Sequence, residues 1–213
     1  MALFFGVKVF NAKKEELRPW SPLTLKQTLE LLRDFKSSWW IGGGYAIENF
    51  VGEQYRKHDD VDIVILRQDL EKLKSYLSKW DLYPSDPPGT LTPWKKDYFP
   101  SNKVHDIWAR KDNESDWAFQ LMVNDATDEN FCYKRDHSIL FNIKEHTRLG
   151  KYGIRYLSPE LQLLYKGKRI RDKDQVDFDK ALPLLNRTQK NWLSENLKRC
   201  YSQEHPWLQK LSI

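Results

Sequence analysis

Cysteine is scarce in the 213-residue chain: Cys132 and Cys200 are the only two. Two thiols cannot make a disulfide framework, and a reducing, cytoplasmic setting is expected. No apolar run approaches the ~18 residues that a membrane span needs, so a soluble intracellular protein without a membrane partner is expected. The opening residues, MALFFGVKVF, carry Lys8 inside their apolar run and have no basic segment before it, which is the wrong pattern for a signal peptide. Internal repeats and low-complexity stretches are also missing. With 40% hydrophobic and 31% charged residues, the composition excludes a disordered, collagen-like or disulfide-scaffold protein. The length suffices for one good core or two small domains.

Neither sign of charge dominates, but the small excess of +5 is unevenly placed. Residues 1–154 hold 23 basic and 23 acidic side chains, whereas residues 155–213 hold 12 and 7. A basic C-terminal part suits a polyanion such as a nucleoside triphosphate or RNA, and equally a solvated helical face. Nine tryptophans are many for this length. Most are expected to pack cores, and the rest to line a pocket for a ring-shaped or sugar-like ligand.

Along the chain, Ser21-Pro22 reads as a helix cap, and Leu25, Leu29, Leu32 and Phe35 recur at helical spacing to about Lys36. Trp39–Ile41 reads as a short strand, Gly42-Gly43-Gly44 as a turn, and Tyr45–Phe50 as a short helix stopped by Gly52. Residues 60–66, DVDIVIL, form the clearest strand, followed by a helix marked by Leu70, Leu73 and Leu77. Prolines from Asp81 to Pro100 predict loops with one strand near Thr90–Trp94. Lys103–Arg110 and Trp117–Asn124 read as strands joined by the polar turn KDNES, and Ile154–Leu157 as a last short strand. Ser158-Pro159 opens a helical tail. The pattern predicts an α+β fold: a small mixed β-sheet domain flanked by helices over residues 1–157, then a helical C-terminal domain over 158–213.

The sharpest chemical signal is Asp60-Val61-Asp62-Ile63-Val64-Ile65. In a strand, Val61, Ile63 and Ile65 face the core, and Asp60 and Asp62 share the other face with Cα atoms ~6.6 Å apart. Two carboxylates this close repel unless a cation sits between them, and Mg²⁺ is the simplest such cation; the alternative is an acidic, solvent-facing strand edge. Ahead of the pair, Gly42-Gly43-Gly44 follows a strand and opens a helix, where backbone N–H groups can cradle a phosphate. Arg56, Lys57 and His58 place a cationic cluster directly before the acidic residues.

Taken together, IGGGYAIENFVGEQYRKHDDVDIVI resembles the signature of the DNA polymerase β-like nucleotidyltransferases, and is most similar to the aminoglycoside and lincosamide nucleotidyltransferases. The matching positions are Gly43, Gly44, Tyr45, Gly52, Arg56, His58, Asp60 and Asp62. The resemblance implies transfer of a nucleoside monophosphate from an NTP, ATP foremost, to a hydroxyl of a small molecule. It further implies two Mg²⁺ ions, release of pyrophosphate and a cleft between the two domains.

Members of this superfamily resemble one another in having a third carboxylate on a neighbouring strand. Asp106, in Val104-His105-Asp106-Ile107-Trp108, is expected mid-strand among apolar residues and would be a metal ligand or the base for the acceptor hydroxyl. If Trp117–Asn124 is the matching strand instead, Gln120 takes that position, and the third ligand is lost or comes from Asp125. Gly43 and Gly44 are expected at the phosphates. His58 is expected to order the loop or touch phosphate, and Arg56 to grip the triphosphate or pair with Asp59. Lys166, with Lys168, Arg169 and Arg171, would reach the polyphosphate or form a solvated basic face. Cys132 is read as a structural thiol. An RNA or protein hydroxyl as acceptor, and a non-catalytic nucleotide-binding module, stand as alternatives.

Overall fold

The computed structural model describes residues 18–150 and 153–212. The opening decapeptide read above as no signal peptide lies outside them. In chain order the helices are α1 (Leu25–Leu32), α2 (Gly43–Val51), α3 (Leu70–Tyr76), α4 (Pro159–Lys166), α5 (Asp172–Ala181), α6 (Arg187–Cys200) and α7 (Leu208–Leu211). The strands are β1 (Trp39–Ile41), β2 (Asp62–Leu66), β3 (Asp81–Pro84), β4 (Asp106–Arg110), β5 (Trp117–Thr127), β6 (Asn130–Cys132), β7 (Leu140–Asn142), β8 (Thr147–Leu149) and β9 (Arg155–Leu157). This mixture agrees with the α+β reading. No described helix is long and apolar enough to cross a membrane. Chain contacts divide the described residues into one unit of 18–39 with 59–126, and another of 40–58 with 127–212. The division differs from a boundary at residue 157, because the helical tail groups with residues 40–58 and the strands after 127.

In the first unit the strand order is β3-β4-β5-β2, with β5 parallel to β2 and antiparallel to β4. Ile63 and Ile65 of β2, Ile107 of β4, and Leu121 and Val123 of β5 line the buried face, each at most 1% exposed. Burying one such side chain contributes about 1.5–3 kcal/mol. Helix α1 begins later than the Ser21-Pro22 signal predicts. The N–H groups of Ser21 and Leu23 bond the carbonyls of Trp117 and Ala118, which keeps this stretch extended. Thr24 and Gln27 then supply a reciprocal capping box.

Three further strand expectations need correction. β3 occupies 81–84, where loops are predicted, because Asp81–Pro84 pairs with β4. Around Thr90–Trp94, Thr92 and Trp94 donate N–H bonds to Pro84 and Leu82, but Pro93 has no N–H to extend a ladder. β4 starts at Asp106 rather than Lys103, so Asp106 begins the strand instead of sitting within it. Of the tryptophans, Trp108 and Trp117 pack edge-to-face in the core, and Trp80 and Trp94 line a groove of about 550 Å³.

In the second unit β1 pairs in parallel with β9, β8 pairs antiparallel with β9, and β6 and β7 form a hairpin. Helix α2 packs on α4 and α5, and α6 packs on α4. Gly52 ends α2 at φ +86, a left-handed conformation open to glycine at little cost, and its N–H bonds Glu48 O at 2.8 Å. Pro159 is at the start of α4, as the Ser158-Pro159 signal predicts, although the Ser158 side chain makes no capping bond. Nearly all of α4 is buried, so its polar residues Glu160, Gln162 and Lys166 need partners inside the unit.

Candidate active site

The acidic pair is positioned by the alternation of β2 and its lead-in. β2 begins at Asp62, so Asp60 and Val61 precede the strand rather than belong to it. Burial alternates over residues 60–63: Val61 is 3% and Ile63 1% exposed, whereas Asp60 and Asp62 are both half-buried.

The register decides what lies beside Asp62. In the parallel β2–β5 ladder its partner is Gln120, and in the antiparallel β5–β4 ladder Gln120 faces Trp108 while Met122 faces Asp106. Paired residues share a face, so Asp62, Gln120 and Asp106 lie on one side of the sheet, with β5 between the two aspartates. Gln120 Nε2 donates to Asp106 Oδ1 at 2.9 Å. Gln120 therefore takes the neighbouring position, and Asp106 stands one strand farther away. Asp125 is not a replacement. It lies five residues beyond Gln120, ~17 Å along β5, and Arg67 holds its carboxylate through Nε and Nη2.

The residues expected at the phosphates are internally engaged in the second unit. Gly43 N–H donates to the buried Gln162 Oε1 at 2.9 Å. At Gly44, a Cβ would come within 1.9 Å of Arg56 Nη2 and 2.5 Å of His58 Cε1. The missing side chain thus admits these two groups against the helix start. The His58 ring stacks on Tyr45 with centroids 4.0 Å apart, and its Nε2 lies 2.8 Å from Glu48 Oε2. Glu48 Oε1 also accepts the N–H groups of Tyr55 and Arg56 at 3.2 and 3.3 Å. Burial pulls the His58 pKa below the ordinary imidazole value.

Arg56 pairs with Asp177 of α5. Asp177 also accepts Tyr55 Oη at 2.8 Å and lies 2.9 Å from Lys166 Nζ. Lys166 in turn lies 2.9 Å from Asp174, which Arg171 grips through Nε and Nη2 at 2.7 and 3.0 Å. Both readings of Lys166 as a surface group need correction: it is 8% exposed, held by two buried carboxylates. Burial alone would raise Asp174, but bonds from Arg171 and Lys166 outweigh it and hold the carboxyl at about 2. Asp177 is likewise held below the usual range, where bonds from Arg56, Lys166 and Tyr55 overcome its burial. Burial, with donation to Asp177, pushes the Tyr55 hydroxyl upward.

Sequence reasoning did not single out Glu48, Gln162, Asp174 or Asp177. Glu48 interrupts an otherwise apolar helical face, which is a usable signal. Asp174 and Asp177 sit in DKDQVDFDK, where nothing separates a buried acid from a solvated one.

The family model described as aminoglycoside-2''-adenylyltransferase matches residues 24–181. No curated protein matches the sequence significantly. Among solved structures, the lincomycin-bound lincosamide antibiotic adenylyltransferase LnuA is similar at 19% identity and a TM-score of 0.50, covering 80% of this chain and 97% of its own. ANT(2")-Ia in complex with adenylyl-2"-tobramycin is similar at 14% identity and 0.50, covering 82% and 95%. The solution structure of ANT(2'')-Ia gives 16% and 0.51, covering 85% and 93%. At these identities the structures support the fold, and the family match spans most of the chain. The chain belongs to the aminoglycoside-2''-adenylyltransferase family.

Proposed function

We propose that the protein transfers the adenylyl group of ATP to a hydroxyl of a small antibiotic, an aminoglycoside or a lincosamide, with release of pyrophosphate. The observation that supports this most is the half-buried pair Asp60 and Asp62, set on either side of the buried Val61. Two neighbouring carboxylates stabilise a divalent cation that would otherwise be hydrated, and the cation relieves their repulsion.

The donor set fits Mg²⁺. Among the described residues no group of three or more His, Cys, Asp or Glu side chains is placed to hold an ion alone. Mg²⁺ is commonly bound by one or two carboxylates with substrate phosphates and water completing the shell. When bound, it supplies Lewis acidity at the α-phosphate and neutralises charge on the departing pyrophosphate. Asp60 and Asp62 are the groups that would hold it. Asp106 shares that side of the sheet and accepts a hydrogen bond from Gln120.

The first turn of α2 provides the phosphate-binding element of the second unit. Its N–H groups lack intrahelical acceptors and carry the positive end of the helix dipole. Gly43 has given its N–H to Gln162, so an anion at this turn would be met by Gly44. Arg56, His58 and Lys166 serve by shape: with Glu48, Asp174 and Asp177 they fix this turn against α4 and α5. The acceptor hydroxyl is oriented for in-line attack and loses its proton to a carboxylate of the acidic face. An aminoglycoside is a polycation, and the +5 chain does not favour one strongly, so lincosamides belong in the same acceptor panel.

Titration calorimetry with a non-hydrolysable ATP analogue tests the nucleotide half of this reading. Binding should be tighter in Mg²⁺ than in chelator, and Asp62→Asn should remove the difference. Equal affinity under both conditions contradicts it.

A further inference from the structure

We infer that Gln120 is the third oxygen donor of the acidic face, and that Asp106 is a positioning residue acting through it. The inference rests on the adenylyl-transfer reading above. Gln120 is the register partner of Asp62 on the adjacent strand, ~4.8 Å away in the hydrogen-bonding direction. Asp106 is two strands from β2, ~10 Å sideways, and it is level with Met122 and hence with Val64 rather than with Asp62. An aspartate side chain is too short to span that gap, whereas glutamine on the intervening strand is adjacent to both.

The chemistry of the bond sets the polarity of the amide. A carboxylate oxygen accepts, so the Gln120 group facing Asp106 is the NH₂, 2.9 Å away. The remaining end is the carbonyl oxygen, a hard neutral donor suited to a divalent cation. Without Asp106 the amide can rotate and present its NH₂ group, which a cation repels. Asp106 thus chooses which end is available. A neutral third donor also leaves the metal-free face with fewer like charges beside Asp60 and Asp62.

Four variants of the full chain test this: Gln120→Leu, Gln120→Glu, Asp106→Ala and Asp106→Asn. Three readouts apply to each: calorimetric affinity for Mg²⁺ with a non-hydrolysable ATP analogue, turnover, and melting temperature in chelator. Gln120→Leu and Asp106→Ala should each weaken metal–nucleotide binding about tenfold or more, while Asp106→Asn, which still accepts the amide bond, stays within about threefold of the parent. Gln120→Glu keeps an oxygen donor but turns it against Asp106. It should therefore melt lower in chelator and recover in Mg²⁺, which keeps the test decisive if Gln120→Leu fails to fold. Unchanged affinity in folded Gln120→Leu overturns the inference. So does an Asp106→Asn variant as impaired as Asp106→Ala, since Asp106 is then a direct ligand or base. Loss of Mg²⁺ dependence in the parent protein, or parental binding by Asp62→Asn, instead defeats the adenylyl-transfer reading itself.

Discussion

Arg56 and Asp177, 121 residues apart in sequence, meet in a two-pronged ion pair with Nε 2.7 Å from Oδ1 and Nη2 2.8 Å from Oδ2. The pair ties the segment after α2 to α5, and Lys166 and Tyr55 join it on the same carboxylate. Asp177 is fully buried, so its carboxylate has no water to fall back on if these donors are lost.

Asp177→Ala should therefore destabilise the protein by about 3–5 kcal/mol, because it leaves a buried lysine short of one partner and Arg56 without its own. Urea denaturation at pH 7 measures this. A loss below about 1 kcal/mol would mean that the network carries little of the unit's stability.

Gly44→Ala tests the close approach at the start of α2. The added Cβ meets Arg56 Nη2 and His58, and neither moves freely: one is held by Asp177, the other lies between Tyr45 and Glu48. Overpacking of this kind costs about 1–3 kcal/mol. The melting temperature should fall in the absence of any nucleotide. An unchanged melt would show instead that Arg56 and His58 give way without cost.

Acidification has a signed consequence at Asp174. Its carboxyl is held at about 2, below the ordinary 3.8, so its stabilisation is complete above about pH 4 and is lost as pH falls through 2. That difference corresponds to about 2 kcal/mol. Asp174→Asn should be less stable than the parent at pH 7 and lose less stability between pH 4 and pH 2. Parallel acid limbs for the two proteins would contradict the assignment.

How far the sequence reaches is visible in these same residues. The burial of Val61, Ile63 and Ile65 was legible, as were the Gly52 stop and the proline opening of α4, because each depends on local chemistry; Val64 and Leu66 on the other face are buried too. The identity of the residue beside Asp62 was not. It depends on β5 lying between β2 and β4, a non-local choice that leaves no periodic trace. Lys166 shows the same limit from the other side. Its neighbours Lys168, Arg169 and Arg171 suggest a basic surface, yet α4 is buried by packing against α2, α5 and α6.

Asp125 offers a control outside the acidic site. Arg67 binds its carboxylate and also the carbonyls of Ser101 at 3.0 Å, Asn102 at 3.1 Å and Val104 at 2.7 Å, which anchors the loop entering β4. Asp125→Ala should lower stability by about 1–3 kcal/mol and leave the affinity for Mg²⁺ with ATP analogue unaltered. A collapse of nucleotide affinity in a folded variant would place Asp125 in the site after all.

The central claim is tested most directly by mass spectrometry of acceptors incubated with the protein, ATP and Mg²⁺, using aminoglycosides and lincosamides side by side with Asp62→Asn as the paired control. The account predicts an acceptor heavier by one adenylyl group, with one pyrophosphate released per product, and no product from Asp62→Asn. An unmodified panel, or equal product from Asp62→Asn, would contradict it.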